Sequence, residues 1–409
     1  MNRVVVTGMG VVSPLGNDIA ATFDALVAMR SAIRRLEGPG TERLVNRLGA
    51  PAAFGPQPQI DAAKLRMLDR VSQFALFAAA QAVRAAVDPF EGTDPARAGV
   101  SIGTGMAGAQ SADDAYRTLY ADRSDRLKPF TVLLAMNNAP ASWIGLEYGV
   151  AGPNLTYSTA CSSSAVAIGE AARRIERGEA DVMIAGGAEA CLNFGTLKAW
   201  EALRTLAVED ASDASASCKP FAKDRSGLVL GEGAAMLVLE SRDRAVARGA
   251  TIIAEIAGYG LVTDAAHITR PSVEGQAAAI RAALADARMD ARDIDYINAH
   301  GTGTQANDGV ETAAIKQVFG AHAYQVPVSS TKSMHGHLLG AAGALEMAIS
   351  IEAIARGVVP PTRNLRVADP QCDLDYVSDG ARQVKGLEAV MSSSFAFGGT
   401  NAVLIVKNS

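Results

Sequence analysis

Cysteine is scarce in this chain and scattered: Cys161, Cys191, Cys218 and Cys372 are its four in 409 residues. No two form a C-x-x-C pair, which argues against a disulfide framework and against a zinc site. Charged residues are also few, at 20% against 49% hydrophobic, the composition of a well-buried α/β protein. The net charge of −5 comes with dispersed basic residues, so composition gives no case for nucleic acid. A local basic patch for an acidic protein partner stays open. No uninterrupted apolar run reaches bilayer-spanning length, and no secretory leader precedes Val4-Val5-Val6. The expectation is a cytoplasmic protein with reduced thiols and no membrane insertion.

What is present is a regular alternation. Short β-branched runs separate alanine-rich amphipathic stretches, the pattern of parallel α/β units. Val4–Val6, Ala98–Ile102, Asp181–Ala185, Ala234–Leu239, Thr251–Ile253, Asp295–Asn298, Val326–Ser329 and Ala402–Val406 read as strands. Helices are expected over 71–86, 163–178, 275–287, 309–319 and 341–356, with Gly357 and Pro360-Pro361 ending the last. The order also hints at duplication. Each half has a strand leading to a Gly-rich turn, at Gly103-Thr104-Gly105 and at Gly301-Thr302-Gly303, then a chemically loaded turn and a long helix. Each then reaches a glycine pair, Gly186-Gly187 or Gly398-Gly399. The halves expected are residues 1–248 and 249–409.

Three segments carry the chemistry: Ser158-Thr159-Ala160-Cys161-Ser162-Ser163-Ser164, His300-Gly301-Thr302-Gly303-Thr304 and Lys332-Ser333-Met334-His335-Gly336-His337. Cys161 follows an extended segment and precedes a helix, so its thiol meets the positive end of a helix dipole. A free thiol has a pKa near ~8.5 and needs such help to act as a nucleophile. Its own N–H is placed to donate to an oxyanion. The other three cysteines read as small buried hydrophobes. Small residues flank His300 and His337 and allow close approach of a ligand. Lys332 lies in a turn with little aliphatic surface to cover, and Glu346 on the next helix is its candidate partner. His335 and His337 could be called a metal pair, but no carboxylate or cysteine completes it nearby. His267 and His322 read as structural or surface residues.

One glycine motif is a decoy. Gly103-Thr104-Gly105-Met106-Ala107-Gly108 fits G-x-G-x-x-G after a strand, yet Asp113-Asp114 and Tyr116-Arg117 follow instead of a clean second strand. Gly8-Met9-Gly10 has Ser13 where the third glycine belongs. Neither meets the dinucleotide fingerprint.

With these residues in view the chain resembles a β-ketoacyl-[acyl carrier protein] synthase of the elongating, Cys-His-His class. The resemblance runs from Val4 through Thr159-Ala160-Cys161-Ser162, His300 to Thr304 and Gly336 to Gly343, and on to Phe395-Ala396-Phe397-Gly398-Gly399-Thr400-Asn401. It implies the thiolase fold, two similar α/β halves in a five-layered α-β-α-β-α core. It also implies a homodimer, or a heterodimer with a chain-length-factor-like homologue, with acyl carrier protein as partner. No cofactor or metal is implied, since phosphopantetheine arrives on the carrier. The reaction would be decarboxylative condensation with malonyl-carrier protein in fatty acid, polyene or polyketide elongation.

By the same resemblance Cys161 is the nucleophile, His300 and His337 serve the condensation, and Lys332 is a supporting cation held by Glu346. The Cys161 and Phe397 N–H groups would form the oxyanion hole, with the Phe397 ring as gate. Thr302 and Thr304 would hold the pantetheine arm, and Met106 and Thr131 would border the acyl pocket, one of them across a dimer interface. Trp143 adds bulk in a segment near Cys161 in sequence. Lys64, Arg66 and Arg70 would dock the carrier. Two other classes fit the residues less well. A non-catalytic chain-length partner characteristically lacks the nucleophile that is present here, and a thiolase needs a second cysteine, for which the turn at Ser394 to Gly399 has no candidate. The initiating synthases, by contrast, use His and Asn.

Overall fold

The β-branched runs pair into a single ten-stranded sheet. A computed structural model describes residues 2–38, 40–55 and 61–409. The strands are β1 (Val4–Val12), β2 (Ala98–Gly103), β3 (Asn154–Tyr157), β4 (Val182–Glu189), β5 (Gly233–Ser241), β6 (Ala254–Thr263), β7 (Tyr296–Asn298), β8 (Val328–Ser329), β9 (Ala389–Phe395) and β10 (Thr400–Lys407). Their order is β8-β7-β9-β10-β6-β1-β5-β4-β2-β3. Read outward from the middle, each half runs first, fifth, fourth, second, third. The sense of pairing repeats too: β2 is parallel to β3 and β4 while β5 is antiparallel to both its neighbours, and β7 to β10 behave alike. The halves join where Val4, Val5 and Val6 pair antiparallel with Ile256, Glu255 and Ala254.

Among the helices that cover the sheet are α1 (Arg70–Ala86), α2 (Ser163–Glu176), α3 (Val273–Ala287), α4 (Asp308–Phe319) and α5 (Ala342–Arg356). Helices α2 and α5 lie between the two half-sheets. Their Ile168, Ile175, Leu345 and Ile349 share one core with Leu237 of β5 and Leu404 of β10. The alternate residues of the same strands, Met236 and Val238, face outward to Phe74 and Ala78 of α1. Val403 and Ile405 likewise face Ile280 of α3 and Ile315 of α4. Period-2 alternation with apolar residues on both sides is what a sheet buried on both faces requires. The layers are therefore helix, sheet, central helices, sheet, helix.

Small residues set the outer spacing. A Cβ on Gly8 or Gly10 of β1 would lie 2.1 or 2.0 Å from the carbonyl oxygens of Ala82 and Ala78. In the second half, Gly258 and Gly260 of β6 meet Ala283 and Ala279 of α3 at 2.4 and 2.2 Å. The same two-glycine contact has been made twice.

Two expectations change. Thr251-Ile252-Ile253 is an extended link, and the strand begins at Ala254 and runs ten residues. Gly186-Gly187 lie inside β4, whereas Gly398-Gly399 turn the chain between β9 and β10, so the glycine pairs are not equivalent. Replacing Gly10 with alanine should lower stability by about 1–3 kcal/mol or more, because a methyl must displace helix backbone. A denaturant midpoint equal to wild type would show that β1 and α1 do not pack this closely.

Candidate active site

Cys161 sits at an elbow. Strand β3 ends at Tyr157, Ala160 takes the left-handed conformation at φ 51°, and a short 3₁₀ turn over Ala160–Ser162 feeds α2. The serines of the segment close this strained turn. Ser163 Oγ accepts from the Thr159 N–H at 2.9 Å and donates to the Ala160 carbonyl at 2.6 Å, and Ser162 Oγ donates to the Thr159 carbonyl. The second half repeats the device: Leu339 at φ 45° opens a 3₁₀ turn over Leu339–Ala341 that feeds α5. Gly340 thus stands where Cys161 stands in the first half.

The two elbows diverge in what their amides meet. Gly340 N–H donates to the buried Glu189 carboxylate at 3.0 Å, and so do Gly105 N–H at 2.7 Å and Met106 N–H at 3.0 Å. Burial pushes the Glu189 carboxyl up to about 7, against the pull of these donors. The amides of the G-x-G-x-x-G loop that a pyrophosphate would need are therefore already occupied from within.

At the Cys161 elbow two histidines converge. His300 follows β7, and its N–H and that of Gly301 donate to Glu311 of α4 at 2.7 and 2.8 Å. His337 is fixed through its backbone by Val229, and its Nδ1 accepts from the Leu339 N–H at 3.1 Å. That bond leaves the hydrogen on Nε2, which is buried without a protein partner. The imidazole rings meet edge to face at 5.3 Å, and one ligand-type atom from each of Cys161, His300 and His337 lies within 4.8 Å of the others. A zinc ion takes such donors, but it needs a lone pair on the ring nitrogen it binds. Here the Leu339 amide keeps Nδ1 as acceptor and the cavity-facing Nε2 as donor, so the set fits hydrogen-bond donation better than metal ligation.

Lys332 and Glu346 form a fully buried ion pair close behind the histidines. Burial, reinforced by the Lys332 charge, holds His300 and His337 well below the usual imidazole range, so both are neutral at pH 7. Burial also pushes the Cys161 thiol up to about 12, opposed by Lys332 and by the Phe397 N–H directed at the sulfur. The expected activation by the helix dipole is outweighed by desolvation, and the resting group is a thiol. His335, by contrast, is tied to the Gly336 carbonyl and Thr331 Oγ1, a structural role.

These groups floor a narrow cleft that opens past Thr302, Thr304 and Phe397 to the loop from Asp264 to Pro271. Its shape suits a slender thioester arm reaching a buried sulfur.

Comparison with known proteins accords with this geometry. Residues 1–245 match the β-ketoacyl synthase N-terminal domain and residues 253–366 its C-terminal domain. The chain belongs to the β-ketoacyl synthase family. It is 47% identical to nodulation protein E of Rhizobium meliloti (strain 1021), covering 99% of each chain. It is 42% identical to 3-oxoacyl-[acyl-carrier-protein] synthase 2 of Coxiella burnetii, covering 99% of this chain and 98% of the other. Among solved structures, a chain from the complex of a type II polyketide synthase acyl-carrier protein with its ketosynthase superposes with a TM-score of 0.92, at 32% identity over the whole of both chains. The fold is thiolase-like, and the protein is a condensing enzyme of the acyltransferase type.

Within this β-ketoacyl synthase several expected residues fall elsewhere. Met106 and Thr131 do not line the cleft of a single chain: Met106 is 39% exposed, and Thr131 caps locally onto the Lys128 carbonyl. Trp143 packs on the outer core beneath the Lys64 ammonium, far from the role its bulk suggested. The tryptophan that matters is Trp200, which lines the cleft and stacks on Phe397 at 6.0 Å and 22°. Arg70 turns inward to Glu232 and the Ala52 carbonyl, so its charge is not offered to a docking partner. Lys64 pairs with Glu147, and Arg66 is exposed and makes no ion pair among the described residues. His267 is a surface residue as expected, at the cleft mouth, while His322 stacks on Phe319. The carboxylates Glu189, Glu311 and Asp308, which hold the backbone of the site, carried no signal in the sequence.

The raised thiol makes a pH prediction. Below its pKa the thiolate fraction grows tenfold per pH unit, so alkylation of Cys161 by iodoacetamide should climb about tenfold per unit between roughly pH 6 and 9. Peptide mass spectrometry would follow Cys161 separately from the other cysteines. A rate that levels off within that range would mean a thiolate at rest.

Proposed function

We propose that this synthase extends an acyl chain by two carbons, taking the acyl group onto Cys161 and malonate from an acyl carrier protein. The convergence of one thiol and two neutral imidazoles at the floor of a narrow cleft supports this reading. Cys161 sulfur attacks the acyl thioester, the carrier thiol leaves with the proton, and an S-acyl bond forms. The N–H groups of Cys161 and Phe397 face the developing oxyanion. Malonyl thioester then enters, and Nε2–H of His337 donates to its thioester carbonyl. The C–COO⁻ bond breaks, CO2 departs, and the enolate carbon attacks the acyl carbonyl. Cys161 leaves as thiolate and a 3-oxoacyl thioester is released.

His300 acts on the same carbonyl region, and Lys332 with Glu346 keeps both rings neutral and in place. Thr302 and Thr304, whose hydroxyls lie 2.9 Å apart on the cleft wall, serve the pantetheine arm. No resident cofactor is needed, since the pantetheine belongs to the substrate. The halves at 1–248 and 249–409 are each one copy of the fold, and the site draws on both. Among the described residues no helix is long and apolar enough to cross a membrane. The acyl chain class, whether fatty acid, polyene or another polyketide, follows from walls that one chain does not complete.

Cys161→Ala should abolish both the acyl-enzyme adduct in intact-mass spectra and the 3-oxoacyl product. His337→Ala should still acylate while condensation falls about 10²–10³-fold. Product formation at the wild-type rate by Cys161→Ala would remove the cysteine from the reaction.

The same reading includes a dimer. Among the described residues strand β3 ends the sheet with its outer edge unpaired; Leu155 on it is exposed, and so are Leu146, Tyr116, Tyr120 and Val132. Such an edge calls for a covering partner. A second copy, or a homologous chain-length partner, would extend the sheet there. Sedimentation should give twice the chain mass for the purified protein, and Leu155→Lys with Val132→Glu should shift it toward the monomer. A monomeric wild type at micromolar concentration would remove the homodimer and leave only the heterologous pairing.

A further inference from the structure

The mouth of the cleft is formed by the loop between β6 and α3, residues Asp264 to Ser272. Its charged groups differ in how they are engaged. Asp264 accepts from Asn401 Nδ2 at 2.6 Å and from the Ser272 N–H at 3.1 Å. His267 Nδ1 accepts from the N–H groups of Thr269 and Arg270, at 3.1 and 3.2 Å. These bonds hold the loop against the Phe397 turn, which it also meets through Gly398 N–H on the Ile268 carbonyl at 2.7 Å. Arg270 is the exception. Its side chain is exposed, and among the described residues it takes part in no ion pair or side-chain hydrogen bond. Among the described residues it is also the one lysine or arginine lining the cleft.

We infer that Arg270 is the phosphate-binding residue of the cleft, receiving the phosphodiester of a 4′-phosphopantetheine arm whose thioester lies at Cys161. The inference rests on the acyl-transfer reading above. An arm that passes Thr302 and Thr304 to reach the sulfur must leave its charged end where the cleft meets solvent. The one carboxylate among the described lining residues, Asp264, is held by two donors. An unpaired guanidinium at that point offers a fork of N–H donors matched to phosphate oxygens. Its exposure makes the contact modest, salt-sensitive and compatible with product release. The residue therefore selects substrates by the charged end of the arm, independently of the acyl chain at the other end.

The test uses two small probes that differ only in the phosphate, octanoyl-4′-phosphopantetheine and octanoyl-pantetheine. The second-order rate of Cys161 acylation is followed by intact-mass spectrometry. Wild type should prefer the phosphorylated probe about three- to tenfold at low salt, with the ratio falling toward one in about 0.5 M salt. Arg270→Ala should bring the ratio to about one, and Arg270→Lys should restore part of it. The salt series on wild type reads the same contact without any substitution. An Arg270→Ala ratio equal to that of wild type, or a wild-type ratio of one at low salt, overturns the assignment while leaving acyl transfer intact. Failure of both probes to acylate wild type overturns the acyl-transfer reading and this inference with it.

Discussion

Two helices that begin side by side govern this structure. The first turn of α5 binds the first turn of α2, with the Ala344 N–H on Ser164 Oγ at 2.9 Å. A Cβ on Gly343 would stand 2.9 Å from that of Ala165, so the approach depends on small residues. Because each helix is fed by an elbow, this one contact brings both elbows, and the strands that deliver them, to the centre of the molecule. His337 precedes the second elbow, so it is carried to Cys161 by the same packing. His300 comes from β7, which is hydrogen-bonded to β9 and so to the turn bearing Phe397. Residues more than a hundred positions apart meet because two similar units have been packed face to face.

The electrostatic character of the site follows from that depth. Buried imidazoles lose their positive form and a buried thiol loses its negative one, so the resting centre is neutral apart from Lys332 and Glu346. Removing either member of such a pair leaves an uncompensated charge in a low-dielectric interior. The pair therefore ties the fold's stability to the electrostatics of the site. It also explains why a cysteine at a helix start is not strongly acidic here: the dipole acts on the sulfur, but water is missing.

The strands and helices were legible because apolar periodicity is a local signal. Val4–Val6 and Ala402–Val406 were visible as runs, whereas β6 was misplaced because its apolar residues alternate with Gly258 and Gly260, whose reason lies in α3. The three segments bearing Cys161, His300 and His337 were legible as chemistry in small-residue turns. Glu189 and Glu311 were not, since a carboxylate buried under backbone amides looks in sequence like one facing water. Arg70 failed in the opposite sense: a cation beside a helix start reads as exposed until Glu232, over 160 residues away, claims it. Met106 and Thr131 show a different limit, since neither lines the cleft that opens on Cys161 within the chain.

The Glu189 carboxylate changes what the duplication means. Two elbows with matching backbones would give two anion sites in each chain, and a thioester could then settle in either. By lodging its own side chain in the second elbow, the protein carries a permanent tenant there and leaves a single vacancy. Symmetry in the backbone is thereby converted into direction. The elbow amide of one half stays with the sulfur, while that of the other half is filled from within.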